Sequence, residues 1–153
     1  MAVEIRKMDV DGLTIQEIIA LLDIAQGASL RRPDWQRLKR ELAQFELCGI
    51  YQAEQLAGYA LVNSRSCYLP KSAQIVTLRY LWQYNQAPLI AEMIRGVGAL
   101  YRDAQWMILD VNARQDFNIP LYKNLGFQAS AMRSSLGREH TVMLCPMAAL
   151  LGG

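Results

Sequence analysis

The sequence predicts an α/β domain: a mixed sheet with helices on its faces. Three observations point there. Read by periodicity, the elements run β-α-α-β-β-β-α-β-α-β-β, an order that packs helices onto a mixed sheet. The 153 residues are 52% hydrophobic and 20% charged, which suits one buried core over residues 1–153 and excludes disorder. The long amphipathic segment Ala87–Ala104 lies between two strand candidates, so it makes a parallel crossover.

Composition narrows the function classes. Sixteen Lys and Arg against fourteen Asp and Glu leave +2, too little to suggest a dedicated nucleic-acid binder. Cys48, Cys67 and Cys145 are odd in number and lack C-x-x-C spacing, which fits free thiols in a reducing compartment. Met1–Gly12 has no apolar signal region, and Met143–Leu151 is far shorter than the ~20 residues of a membrane span. The expectation is a cytoplasmic protein without a membrane partner.

Each element has its own signal. Val3–Met8 alternates as a first strand. Thr14-Ile15-Gln16-Glu17 is a capping box, and the helix after it carries Ile18, Ile19, Leu21, Leu22 and Ala25 before stopping at Gly27. A second helix opens at Pro33 with the stripe Trp35, Leu38, Leu42, surrounded by Arg31, Arg32, Arg37, Lys39 and Arg40 as a solvated face or a basic patch for an acidic partner. Phe45–Gln52 and Leu56–Val62 read as strands joined by the tight turn Ala53-Glu54-Gln55, and Ser72–Trp82 as another strand, rich in β-formers. In Ala87–Ala104, Leu89, Ile90, Met93, Ile94, Val97, Leu100, Tyr101 and Ala104 make one apolar face. Gly96 and Gly98 inside it each cost about 1 kcal/mol against Ala, so close packing or ligand approach is their reason. Gln105–Val111 is a buried strand and Asn118–Asn124 a short helix ended by Gly126. Phe127–Arg133 and His140–Cys145 are a closing strand pair.

Periodicity stops there; local motif goes further. Leu109-Asp110-Val111 ends a strand, and Leu121-Tyr122-Lys123-Asn124-Leu125-Gly126-Phe127 follows a short helix start. This stretch resembles the GNAT superfamily of N-acetyltransferases, and the element order fits that family along nearly the whole chain. The resemblance implies a mostly antiparallel, twisted mixed sheet flanked by helices, and acetyl-CoA as acetyl donor. In register with the family, Leu81 takes the Val position that ends the strand, and Gln86 opens the turn that holds the pyrophosphate on backbone amides at a helix start. The residues of that turn are Ala87, Leu89, Ile90 and Ala91. Ala87 and Leu89 replace glycines, Leu89 puts a side chain where backbone usually meets phosphate, and Pro88 removes an amide donor. Arg95-Gly96-Val97-Gly98 also looks like the family loop, but as such it would cut the apolar stripe in half.

The same resemblance assigns the chemistry. A backbone amide near Leu81 would polarise the thioester carbonyl, and Tyr122 would protonate the leaving thiolate or else simply pack beside the short helix. Gln115 stands at the pantetheine-binding Asn of the family, and Asn118 lines the cofactor or caps the helix. Asp110 is the candidate for removing the amine's proton through water. His140, the only histidine, reads first as packed or exposed, and Glu46 and Glu139 as solvated charges. No Ser/His/Asp order, zinc spacing or Walker loop is present. The acceptor would be a primary amine of a small molecule or peptide, and a homodimer through the last strands is compatible with the pattern. The alternative is a non-catalytic module on the same fold, motivated by Pro88, Leu89 and Gln115.

Overall fold

A computed structural model describes residues 2–27, 34–66 and 68–152, so Arg31, Arg32, Pro33 and Cys67 lie outside the described residues. Local chemistry starts the helices. The Thr14 amide donates to Glu17 Oε1 (2.9 Å) and the Glu17 amide to Thr14 Oγ1 (3.1 Å), which opens α1 (Ile15–Gly27). Asp34 Oδ1 accepts from the Arg37 amide (2.8 Å) and opens α2 (Trp35–Leu42). The long helix α3 spans Ala87–Leu100, shorter than its apolar stripe because Tyr101–Ala104 turn back to deliver the next strand. The short helix α4 (Ile119–Leu125) ends at Gly126, whose φ of 112° is the left-handed cap a glycine adopts freely.

Seven strands form one sheet: β1 (Glu4–Met8), β2 (Glu46–Gln52), β3 (Gln55–Asn63), β4 (Ser72–Tyr80), β5 (Trp106–Asn112), β6 (Gln128–Ala129) and β7 (His140–Pro146). Their order is β1-β2-β3-β4-β5-β7-β6. Every neighbour pair is antiparallel except β4 with β5, which are parallel as the crossover requires. One core lies between the sheet and α3, α4 and a last helix, α5 (Met147–Leu150). A second lies under α1 and α2, against Leu47, Tyr59 and Leu61. No helix among the described residues is long and apolar enough to cross a membrane.

Three sequence expectations change. The strand expected over Phe127–Arg133 shrinks to Gln128–Ala129, because serines there bond to nearby backbone instead of a ladder. The last cross-strand bond is from the Ser130 amide to the Val142 carbonyl (2.9 Å); beyond it Ser130 Oγ accepts the Met132 amide (3.2 Å) and Ser134 Oγ the Leu136 amide (3.0 Å). β4 ends at Tyr80 rather than Trp82, and Trp82–Tyr84 form a 3₁₀ turn that leaves Trp82 exposed. α5 was hidden in an apolar tail and explains Gly98: a Cβ there would stand 2.9 Å from Leu150. Gly96 likewise faces Ile5, so Arg95–Gly98 is mid-helix packing and no phosphate loop.

Candidate active site

The sheet opens in its middle. β4 and β5 pair only from Ser72 with Trp106 to Ile75 with Leu109. Beyond that point the register of β4 against β3 shifts, so that Val76 is the extra residue of a bulge. Bulges bend a strand, and here β4 leaves β5 and a wedge-shaped gap begins. Its walls are Val76–Tyr80 on one side and Asp110–Asn112 on the other. The Leu81 amide donates to the Ala57 carbonyl on β3 (2.9 Å). Strand amides alternate in direction, so the Tyr80 amide faces the open edge and Leu81's own N–H does not.

The turn into α3 sits at the mouth of this gap. Gln86 is its extended N-cap; its carbonyl accepts from Ile90 (3.0 Å), and its side-chain amide donates to Gln83 O (3.2 Å). The amides of Ala87 and Leu89 have no acceptor among the described residues, and Pro88 has no N–H. The Leu89 side chain does not obstruct this turn, contrary to the sequence expectation. It is buried with Ile50 and Met93 against the sheet, because its place on the helical stripe points it inward. Ile90 and Ala91 are buried in the same inward direction, while Gln86 and Ala87 are exposed.

α4 brings a phenol to the other wall. Tyr122 is buried, edge-on to Phe127 at 6.3 Å between centroids, and its hydroxyl donates to Asp116 Oδ2 (3.0 Å). Burial, then the Asp116 charge, push its phenol well above the ordinary tyrosine range. Asp116 Oδ1 accepts the Asn118 amide (2.8 Å), so Asp116 and not the Asn118 side chain organises the helix start. Burial raises the Tyr80 phenol, whose hydroxyl donates to Asn85 Oδ1 (3.3 Å). Gln115 is exposed in the preceding turn, its amide bonded to Asn112.

On the opposite face of β5 lies a second group. Leu109 and Val111 point into the α3 core, so Asp110 between them points the other way. Its Oδ2 receives the Tyr68 and Ser134 hydroxyls, each at 2.7 Å. His140 Nδ1 stands 3.3 Å from Oδ1. Tyr68 and Ser134 come from the β3–β4 and β6–β7 loops, so one buried carboxylate ties both loops to the sheet. Nothing local in the sequence marks His140 for chemistry. The register that pairs it with Asn112 at the end of β5 brings it to Asp110.

No family model and no curated protein sequence matches this chain. Solved structures do match over almost its whole length. The ribosomal-protein-S18-alanine N-acetyltransferase from Escherichia coli is 18% identical, with a TM-score of 0.66 over 95% of this chain and 94% of its own. PaiA N-acetyltransferase from Thermoplasma acidophilum, solved in complex with coenzyme A, is 13% identical, with a TM-score of 0.68 over 95% and 99%. A spermidine N-acetyltransferase SpeG chimera from Vibrio cholerae and hSSAT is 13% identical, with a TM-score of 0.70 over the full length of both chains. Sheet order, central gap and these likenesses define the fold class: an acyl-CoA N-acyltransferase type of α/β sheet. More particularly, the chain has the fold of the GNAT N-acetyltransferases.

Proposed function

We propose that this protein is an acetyl-CoA-dependent N-acetyltransferase that moves an acetyl group directly to a primary amine of a small molecule or peptide. The observation that carries the reading is the gap between β4 and β5, with the unpaired α3 amides at one end and Tyr122 on its wall. Solved structures of this fold with coenzyme A bound support the choice of donor. When bound, acetyl-CoA supplies the acetyl group as a thioester.

The chain's own residues supply the rest. Ala87 and Leu89 N–H groups and the α3 dipole hold a diphosphate, with Gln86, Ile90 and Ala91 shaping the turn. Gln115 and Asn118 flank the donor's arm. The backbone before Leu81, through the outward Tyr80 amide, polarises the carbonyl to be attacked. Tyr122 holds a proton next to the site where the thiolate leaves; its raised phenol keeps that proton until a strong base appears. Asp110 serves the acceptor side.

The inward turn of Leu89 favours this reading over a non-catalytic module, since the bulkiest departure from the family pattern leaves the phosphate turn open. Isothermal titration with acetyl-CoA tests it, followed by thiol release with an amine panel. Heat of binding and amine-dependent release of free thiol are expected. Absence of both heat and thermal shift at millimolar donor would sink the proposal.

A further inference from the structure

Building on the transferase reading, we infer that the cavity beside Asp110 is the acceptor site for a small amine carrying a carboxylate or phosphate, with His140 Nε2 taking the amine's proton. The cavity measures about 710 Å³ and is lined by Tyr68, Met132, Arg133, Ser134, Arg138 and His140 among others. That volume suits a small molecule.

The dyad has one free end. Asp110 Oδ1 and His140 Nδ1 are buried, 3.3 Å apart, short of a well-aligned hydrogen bond, and neither has another partner among the described residues. The Asp110 side chain is 3% exposed and the imidazole 23%. A carboxylate 3.3 Å from Nδ1 electrostatically favours the tautomer with the ring proton there and the lone pair on Nε2. The second carboxylate oxygen is taken by Tyr68 and Ser134, so an entering amine meets the imidazole and not Asp110 itself.

Charge selects the acceptor. Arg133 and Arg138 have no ion-pair partner among the described residues, whereas Glu139 between the cavity residues is paired outward with Arg114 (3.1 Å). Among the described residues no carboxylate lines the cavity, so it repels a polycation and neutralises an anion.

The transfer then balances. The acceptor enters as an ammonium and gives one proton to His140 Nε2. Its freed electron pair attacks the donor's carbonyl carbon; the N–C bond forms and the C–S bond breaks, with the pair leaving on sulfur. Tyr122 gives its proton to that sulfur and regains one from the new amide nitrogen. His140 releases its proton to solvent, leaving amide and free thiol.

A single histidine makes the test direct, because an untagged ¹⁵N-labelled protein shows one imidazole. At a pH where the ring is neutral, its proton is expected on Nδ1. O-phosphoethanolamine should shift the ring signals where ethanolamine does not, and β-alanine where propylamine does not. The first pair probes a phosphate source and the second a carboxylate. The double variant R133A/R138A should weaken that binding about tenfold or more, the loss of charge-assisted bonds. In acetylation, H140Q and H140N should each lower kcat about 100-fold or more with acetyl-CoA affinity unchanged. The inference is overturned by a proton on Nε2, by spermidine shifting His140 as strongly as the acidic amines, or by kcat within about threefold of the parent in both histidine variants. It also falls if acetyl-CoA binds but neither acidic amine is acetylated. Failure of acetyl-CoA to bind at all removes the transferase reading instead.

Discussion

Pro88 offers a gain-of-function test of the phosphate turn. It occupies the first turn of α3, where Ala87 and Leu89 each present an unpaired N–H and Pro88 presents none. Replacing it with Ala restores one donor at the helix start. A hydrogen bond to a charged group contributes about 1.5–3 kcal/mol, which corresponds to roughly a ten- to hundredfold change in affinity. Ala87 and Pro88 are exposed, so solvent competes and the lower end, about tenfold, is the expectation for P88A. Stability should move the other way. Proline pre-organises the unfolded chain, and its removal costs about 0.4–1 kcal/mol where its conformation already fits. Titration calorimetry with coenzyme A reads the affinity, and a melting curve without ligand reads the stability. Pantetheine, which lacks the diphosphate, is the control and should bind both proteins alike. Tighter coenzyme A binding with a slightly lower melting point is the predicted pair. Unchanged or weaker coenzyme A affinity in a folded P88A protein would refute the assignment of this turn to the diphosphate.

Three further outcomes follow from the same geometry. Y122F should lower kcat by about 100-fold or more while leaving coenzyme A affinity nearly intact, since only the proton is lost; an unchanged rate in steady-state assays removes Tyr122 from the donor role. L89A should cost about 2–5 kcal/mol in urea denaturation, because Leu89 fills core space with Ile50 and Met93; small destabilisation with tighter donor binding would mean the side chain plugs the turn after all. Glu17 is held below its ordinary carboxylate pKa chiefly by the Thr14 amide; burial opposes this, and the Tyr51 hydroxyl adds a smaller lowering. Its folded-state pKa is the lower one, so its stabilisation is complete above the unfolded value and fades as pH falls through the folded one. E17Q should therefore flatten the acid side of the stability profile, and urea midpoints at neutral and acid pH would show it.

What the sequence disclosed depended on how far apart the informative residues lie. The α1 capping box spans four residues and the Leu121–Phe127 motif seven, and both stand where the pattern places them. The hairpin expected from Phe45–Gln52 and Leu56–Val62 around Ala53-Glu54-Gln55 forms with strands 46–52 and 55–63, so its turn is one residue tighter. The end of β4, the reduced β6 and the final helix depart from the periodic pattern because a 3₁₀ turn, serine side chains and helix-on-helix packing decide them, none of which periodicity measures. Leu89 was misjudged for a related reason. In a linear alignment it occupies a glycine's place, whereas on the helix its 100° position puts the side chain in the core and leaves only its amide outside.

The acceptor side was beyond such reading because its parts meet only through the sheet. Tyr68 lies 42 residues before Asp110 in sequence and Ser134 24 residues after it, yet both hydroxyls end on one carboxylate oxygen. A lone histidine carries no signal by itself. It acquires one when the β5–β7 register sets His140 opposite Asn112, beside a carboxylate whose other oxygen is already committed. The strand position of Asp110 was visible in Leu109-Asp110-Val111, but its availability was not. A carboxylate that receives two hydroxyls and faces an imidazole is better built to orient that imidazole than to meet an amine, so the proton's route on this face runs through His140.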